Sequence, residues 1–409
     1  MKTLLRTPLR IYAALAGASC ALAAAVVALA QPSVGDYLAR NASNPDNSAP
    51  AIDALIHGHL GRMPSVQPVM GPVSLIVRAP FAALGHAIGG PTLEYRLGAF
   101  ACLWALAAVA LVIAVRVHRR DGGLVAPAAI VVVAVANPLA LSALNLGHPE
   151  ELLAGALCVA AVLAADRDRP LLTGALLGLA AATKPWAALA AVPALLALQT
   201  GRGRALLAAG GLAAALVAPL ALADPHHLIA GSRKLAHSVR VYPWSAWWPF
   251  SLEHAGPARA WLMPWGLTRS AGQLATAAVA LGAGIAILRG RARRIAAPAA
   301  LALLAALLLS RSLLDPQNLG YYAAPAVAAL AAWEASRRRG LPVVTILACV
   351  AGWATLLHPV ANPTLACALY LAWSLPLAGY LMAGPWMTYA KRPLRYSRYL
   401  NSSSYPSAR

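Results

Sequence analysis

The sequence predicts an all-α polytopic membrane protein. Hydrophobic residues make up 60% of its 409 residues, and charged residues only 11%. The apolar residues form runs of about 15 to 22, close to the length that a helix needs to cross a bilayer. The net charge of +20 comes mainly from short arginine clusters between these runs, which is typical of cytoplasmic loops. We therefore expect the lipid bilayer, and no nucleic acid, as a partner.

The apolar runs predict about twelve transmembrane helices. The first run follows a basic N-terminus and resembles a signal peptide, but its length of about 20 residues favours a retained helix. We expect one membrane domain over residues 1–390 and a disordered basic cytoplasmic tail over 391–409. The predicted helices are 11–31, 96–116, 124–142, 150–165, 170–183, 185–200, 204–223, 270–288, 296–310, 319–335, 341–357 and 364–384.

The arginine clusters predict the orientation of these helices. If both termini are cytoplasmic, every tight basic cluster falls on the cytoplasmic side. Long exterior loops then follow helices 1 and 7, at about residues 32–95 and 224–269. The clusters are Arg116/Arg119/Arg120, Arg167/Arg169, Arg202/Arg204, Arg289/Arg291/Arg293/Arg294, Arg337/Arg338/Arg339 and the tail from Lys391 to Arg398.

This topology depends on the stretch from Leu171 to Leu198, which Thr183-Lys184-Pro185 interrupts. Read as one helix, the stretch would invert every later loop. Read as two, each helix is only about 21–24 Å long, so the turn should lie below the exterior surface. A lysine at that depth needs an anionic partner or a water-filled cavity. We expect Lys184 to line a cavity, with snorkelling to the headgroups as the alternative.

The first exterior loop contains a candidate general base. The segment from Asp46 to Gly58 predicts a short helix with Pro50 in its first turn. Asp46 or Ser48 could cap this helix. Alternatively, the Asp46 carboxylate could take the proton of an attacking hydroxyl.

Two competing carboxylates lie in the same loop. Asp36 is one of them, and Asp53 is expected on the solvated face of the short helix. The apolar stretch from Val69 to Ile88 is broken by Pro72, Arg78 and Pro80. We expect this stretch to lie along the membrane surface rather than to cross it.

A second candidate cluster opens the predicted helix at residue 150. Glu150 and Glu151 lie in its first turn, where the helix dipole favours negative charge. Together with His148 they could instead bind a divalent cation or a sugar hydroxyl. The donors do not form a closed ligand pattern, so we expect no metal.

A third exterior loop, from Arg311 to Tyr322, is dense in polar groups between two apolar helices. Asp315-Pro316 predicts a helix start. The pair Tyr321 and Tyr322 could belong to an interfacial aromatic belt. Alternatively, Arg311, Asp315, Asn318 and Tyr322 could converge with Asp46 and Lys184 on one active site.

The second long exterior loop is rich in tryptophan. It contains Tyr242-Pro243-Trp244, Trp247-Trp248-Pro249-Phe250 and Trp261. Such amphipathic aromatics are typical of the membrane interface. A platform on which a sugar or lipid stacks is the alternative.

Three motifs resemble the GT-C superfamily of membrane glycosyltransferases, and most closely glycosyltransferase family 87, the polyprenyl-phosphate-mannose-dependent mannosyltransferase-like proteins of bacteria. The first is Asp46 followed by His57-Gly58. The second is Gly147-His148-Pro149-Glu150-Glu151 with the later Gly174-to-Gly178 and Thr183-Lys184-Pro185-Trp186 segments. The third is Leu313-Leu314-Asp315-Pro316 with Tyr321-Tyr322. The chain departs from the family in having His148 where glutamine is usual, and in lacking a Tyr-x-Pro-Pro motif.

The resemblance implies a GT-C-like fold in the bacterial plasma membrane, with the active site facing the exterior. It implies inverting, metal-independent transfer of mannose or a similar sugar from a polyprenyl-phosphate donor to an envelope glycan or glycolipid, with no cofactor. Asp46 would be the base. The donor phosphate would be bound by Lys184, Arg311, Arg78 and His148. The residues expected to bind substrate are Glu150, Glu151, Asp315, Asn318, Tyr321 and Tyr322.

A transporter is the alternative function. Lys184 would then bind a lipid-linked or anionic envelope precursor as it crosses the membrane. Such a protein would be expected to show repeat symmetry and more charges at mid-membrane depth than this sequence has.

Overall fold

The computed structural model describes residues 2–31, 46–256, 259–289 and 294–390. The predicted tail at 391–409 lies outside these residues, as do Asp36, Asn44, Pro45, Arg291 and Arg293. Within the described residues the chain is mostly helical. The one small departure from the predicted all-α class is a two-stranded antiparallel hairpin, β1 (Leu252–His254) and β2 (Ala260–Leu262).

All twelve predicted helices correspond to helical segments. The α-helices are α1 (Lys2–Leu29), α2 (Ala49–Ile56), α3 (Met63–Val66), α4 (Pro72–Gly89), α5 (Pro91–Asp121), α6 (Val125–Val135), α7 (Pro138–Asn145), α8 (Glu150–Asp166), α9 (Pro170–Ala181), α10 (Ala191–Ala197), α11 (Arg202–Ala223), α12 (Pro225–Ala236), α13 (Arg269–Arg289), α14 (Ala297–Leu314), α15 (Ala324–Arg337), α16 (Val343–Gly352) and α17 (Pro363–Ala390). Short 3₁₀-helices occupy Leu60–Arg62, Pro185–Ala190, Trp248–Phe250, Pro264–Gly266 and Gly320–Ala323, and α16 continues as a π-helix over Trp353–Leu357.

Eight helical segments among the described residues are long and apolar enough to cross a membrane. They include the first helix, from Ile11 to Leu29, and α4. The run predicted at 124–142 is broken between α6 and α7, because Asn137 accepts a hydrogen bond from the Ala140 amide and Pro138 begins a new helix. The number of spans stays a prediction, since length and composition alone define the eight candidates.

Helix α4 packs along the first half of α5. Gly85 of α4 lies against the backbone of Leu93, and Gly98 of α5 lies against the side chain of Arg78. Val73, near the start of α4, clusters with Cys102 in the middle of α5. Helix α4 therefore runs beside the first half of α5, which is a candidate span, and does not lie along the membrane surface, contrary to the prediction from the sequence.

The stretch from Leu171 to Leu198 forms a hairpin of two short helical segments, as predicted. The Asp168 carboxylate before α9 accepts hydrogen bonds from the Gln199 and Thr200 amides and the Thr200 hydroxyl at 2.9–3.1 Å. Hydrogen bonds from Thr200 and Gln199 lower the pKa of Asp168. The two outer ends of the hairpin therefore meet, and its turn, with Lys184, lies at the opposite end.

The described basic clusters meet at one end of the helix bundle, which we call the basic end. Arg120 donates to the carbonyls of Ala335 and Arg338 at 2.8 and 2.6 Å. Arg294 donates to the carbonyls of Ala197 and Asp166 at 2.9 and 3.0 Å. This grouping is the one expected if these loops share one side of the membrane.

The turn of the α9 hairpin is joined to the first long loop through backbone hydrogen bonds. The amide of Gly71 donates to the carbonyl of Thr183 at 3.1 Å, and that of Val73 donates to Ala182 at 3.2 Å. Because Val73 lies at the start of α4, these bonds fix the hairpin turn beside the segment that contains α2. Lys184 and Asp46, 138 residues apart in sequence, are brought together in this way.

Helix α9 packs closely on α11 through two glycines spaced four residues apart. A Cβ atom on Gly174 would lie 2.3 Å from the Ala205 carbonyl oxygen, and one on Gly178 would lie 2.7 Å from that of Ala209. This spacing of small residues allows two membrane helices to approach closely. Close packing at this contact supports the hairpin that carries Lys184.

We predict that Gly174→Ala lowers stability by about 1–3 kcal/mol, because the new methyl group would overpack the α9–α11 contact. Gly210→Ala in α11 is the matched control, since a Cβ there has no neighbour within 4 Å. Alanine should stabilise that helix by up to about 1 kcal/mol. Thermal unfolding of the purified variants measures both. Equal stability of the two variants would contradict the close contact.

Candidate active site

The site is built around the ion pair between Lys184 and Asp46. The Lys184 ammonium donates to both carboxylate oxygens of Asp46, at 3.2 and 3.4 Å. Asp46 lies three residues before α2, and Lys184 lies in the turn that follows α9. The prediction that Lys184 is a cavity residue with an anionic partner is confirmed.

Two buried glutamates complete the surroundings of Lys184. Its ammonium lies 3.1 Å from a carboxylate oxygen of Glu150 and 3.9 Å from one of Glu151. Both glutamates occupy the first turn of α8, as predicted, with side chains only 0% and 2% exposed. Burying a carboxylate is costly unless it is paired. The nearby cations account for their burial, beyond the helix dipole that the sequence suggested.

Arg311 is fixed between two aromatic rings. Its guanidinium carbon lies 4.3 Å from the centre of the Trp186 ring and 4.5 Å from that of Tyr322. It also donates two hydrogen bonds to Glu151, at 2.9 and 3.1 Å. The Trp186 indole donates to the same carboxylate at 3.1 Å. Arg311 is therefore held rigidly by stacking and by a forked ion pair.

A second forked ion pair joins Arg269 to Asp315. Arg269 donates to both oxygens of Asp315 at 2.7–3.1 Å, and to the Tyr322 hydroxyl at 2.7 Å. Arg269 begins α13 and lines the same cavity as Lys184. Arg269 was not among the residues predicted from the sequence. The available signal was an arginine at the start of an apolar helix, directly after the tryptophan-rich loop.

These groups lie at the polar end of a cavity of about 620 Å³. Asp46, Lys184, Arg311 and Arg269 line that end together with other polar side chains. The cavity then continues between α13 and the segment 185–197, where its walls are mostly apolar. The further polar lining residues are Glu151, Asp315, Tyr322, Ser232, Gln273 and Thr276, and the apolar ones include Leu189, Val192, Ala277, Ala280 and Leu281.

The family model of glycosyltransferase family 87 matches residues 69–308, more than half of the chain. The chain belongs to glycosyltransferase family 87. It is therefore a glycosyltransferase, and the resemblance noted in the sequence is confirmed. No curated protein and no solved structure matches significantly. The match includes Glu150, Glu151, Lys184 and Arg269, whereas Asp46 and Arg311 lie outside it.

Other predicted site residues of the family 87 protein lie behind the cavity wall. His148 contacts Glu150 at 2.9 Å and lies 3.8 Å from Asp46. Burial alone lowers the pKa of His148, but its hydrogen bond to Glu150 and the charges of Glu150 and Asp46 raise it, and the net direction is upward. The Tyr321 ring stacks on His148 with 4.8 Å between ring centres. His148 and Tyr321 therefore support the carboxylates from behind.

Arg78 and Asn318 also do not line the cavity. Arg78 is 1% exposed, donates to the Ser48 hydroxyl at 2.9 Å and lies 3.9 Å from Glu150. Asn318 donates to the Trp244 carbonyl at 2.7 Å and accepts from Ser312 at 2.9 Å. Arg78 is thus buried beside Glu150, which does not line the cavity either, and Asn318 stabilises a loop.

The structure corrects two predictions about helix ends. Ser48 makes no capping bond with its side chain, and the Asn47 side chain instead accepts from the Ala49 amide at 3.0 Å. Asp315 does not start a helix but follows the end of α14 with an extended backbone. The residue before a proline avoids the helical region, and Pro316 follows Asp315.

Two side chains of the tryptophan-rich loop have a structural role. The Trp244 indole donates to the Asn318 carbonyl, and the Trp247 indole donates to the Leu314 carbonyl at 2.9 Å. These two side chains hold the loop that contains Asp315. Trp265, in contrast, is 90% exposed. The roles of this loop as interfacial belt or stacking platform stay predictions.

We predict that Glu151→Gln destabilises this glycosyltransferase by about 3 kcal/mol, because Arg311 would lose the carboxylate of a buried ion pair. Glu253→Gln is the control, since Glu253 lies on the exposed strand β1, and its effect should stay within about 0.5 kcal/mol. Thermal unfolding in detergent measures both. Equal melting temperatures for the two variants would contradict the role of Glu151.

Proposed function

We propose that the enzyme transfers a sugar, mannose or similar, from a polyprenyl-phosphate donor to a hydroxyl of an envelope glycan or glycolipid. The supporting observation is that one cavity combines three carboxylates and three cations at one end with a mostly apolar groove at the other. A lipid-phosphate sugar likewise has a polar end, the sugar and its phosphate, and an apolar end, the lipid chain. Membership of family 87 supports sugar transfer, and the cavity supports the class of donor.

The apolar groove suits an isoprenoid chain. Along α13, the lining residues extend from Arg269 to Leu281, a distance of about 18 Å at 1.5 Å per residue. The opposite wall is formed by Leu189 and Val192. With the phosphate at Lys184, Arg311 and Arg269, the chain would extend between α13 and the segment 185–197.

Sugar transfer would proceed by a single displacement. Asp46 takes the proton of the acceptor hydroxyl as the acceptor oxygen forms a bond to the anomeric carbon from the face opposite the donor phosphate. The bond between the anomeric carbon and the phosphate oxygen breaks, and its electron pair leaves with polyprenyl phosphate. The anomeric configuration is inverted. Lys184, Arg311 and Arg269 would stabilise the negative charge that develops on the phosphate, so the proposal includes no metal ion and no cofactor.

The bundle geometry supports an exterior-facing active site. The turn with Lys184 lies at the end of its hairpin opposite Asp168 and Thr200, and the basic end would face the cytoplasm. A bacterial plasma membrane with the donor in its outer leaflet fits this arrangement.

We predict that Asp46→Asn abolishes sugar transfer, because the amide cannot accept the proton. Asp53→Asn is the matched control, since it removes the same charge from the neighbouring helix α2, and it should keep activity near wild type. Transfer of radiolabelled sugar from the lipid donor by purified protein measures this. Full activity of Asp46→Asn would remove Asp46 from the mechanism.

We predict that Ala277→Trp, which would fill the apolar groove, raises the KM for a full-length polyprenyl donor by about tenfold. A donor analogue with a chain of one or two isoprene units should be affected much less, because it would not reach Ala277. Ala278→Trp serves as the control, since Ala278 is also exposed on α13 but does not line the cavity. If both substitutions raised the KM for the long donor equally, the proposed position of the isoprenoid chain would be wrong.

A further inference from the structure

Charge is balanced around Lys184 in the described part of the chain. The carboxylates of Asp46, Glu150 and Glu151 all lie within 4 Å of its ammonium. Arg311 pairs with Glu151, and Arg78 lies 3.9 Å from Glu150. Three carboxylates thus face the three permanent cations Lys184, Arg311 and Arg78, and the His148 ring also contacts this cluster, at 2.9 Å from Glu150 and 3.8 Å from Asp46. A donor phosphate that approaches Lys184 would add negative charge to a balanced cluster.

One of the three carboxylates must therefore give up its contact with Lys184. The two glutamates are almost fully buried, and each has other partners: His148 contacts Glu150, and Arg311 holds Glu151. The Asp46 side chain also lies 3.8 Å from His148, but it is 23% exposed and lines the cavity. Moving a buried carboxylate away from its cation is costly, whereas Asp46 can move toward the open cavity. Asp46 is the carboxylate that can leave.

We infer that the donor phosphate displaces Asp46 from Lys184 and thereby frees Asp46 to act as the base. This inference rests on the proposed function. Without donor, both carboxylate oxygens of Asp46 accept hydrogen bonds from Lys184, at 3.2 and 3.4 Å, so both are already engaged before an acceptor hydroxyl arrives. Once the ammonium turns to the phosphate, Asp46 can accept the acceptor proton.

Lys184 is then a positioning residue for the base as well as a ligand of the donor phosphate. The turn that carries it is held by the bonds from Gly71 and Val73, so the ammonium can reach both partners without movement of the backbone. The order of events follows from this arrangement. The donor binds first, and deprotonation of the acceptor waits for it, which protects the enzyme from activating a hydroxyl in the absence of donor.

The test is the affinity for polyprenyl phosphate, the leaving group, measured by titration of purified protein in nanodiscs without acceptor. Asp46→Asn should bind it about fivefold to tenfold more tightly than wild type, because a competing anion is removed from Lys184. Asp53→Asn, which changes the net charge equally on helix α2, should bind as wild type does. In a Lys184→Met background, Asp46→Asn should give no gain.

Unchanged or weaker binding by Asp46→Asn would overturn the inference, as would an equal gain in Asp53→Asn or in the Lys184→Met background. Melting temperatures show whether each variant is folded, and Asp46→Ser replaces Asp46→Asn if the latter is not. Sugar transfer by the same variants separates the two proposals. Loss of transfer without tighter binding defeats only the displacement, whereas retained transfer defeats the assignment of Asp46 as base.

Discussion

The Lys184 ammonium is the group on which the architecture of the site depends. It lies at the tip of a hairpin of two short helical segments and is almost fully buried. A buried ammonium needs anionic partners, and these come from two distant parts of the chain, Asp46 before α2 and the glutamates that begin α8. The same contacts therefore offset the cost of burying the Lys184 ammonium and bring the residues of the site together.

The charged groups around this lysine form a connected network of ion pairs and hydrogen bonds. Glu151 connects Lys184 to Arg311, and the aromatic rings of Trp186 and Tyr322 enclose Arg311. Tyr322 in turn accepts from Arg269, which is paired with Asp315. Such a network is organised before any substrate binds, which is the condition under which fixed charges stabilise a developing charge best. The apolar groove below it adds the part of the cavity that suits a lipid chain.

Much of the fold could be predicted from the sequence, because apolar runs of about 20 residues have few alternatives to helices in a membrane. The turn at Lys184 was predictable for the same reason, since a lysine and a proline together interrupt an apolar run. What the sequence did not predict depends on tertiary contacts. The role of Arg269 becomes evident from its pairing with Asp315, 46 residues away, and Arg78, predicted as a phosphate ligand, is instead buried beside Glu150 by the packing of α4 on α5.

The most direct test is an experimental structure of the protein with polyprenyl phosphate bound. The proposed displacement requires the phosphate oxygens to lie within hydrogen-bonding distance of the Lys184 ammonium, the isoprenoid chain to lie between α13 and the segment 185–197, and the Asp46 carboxylate to be turned away from Lys184. A phosphate bound elsewhere, with the ion pair of Lys184 and Asp46 intact, would contradict it.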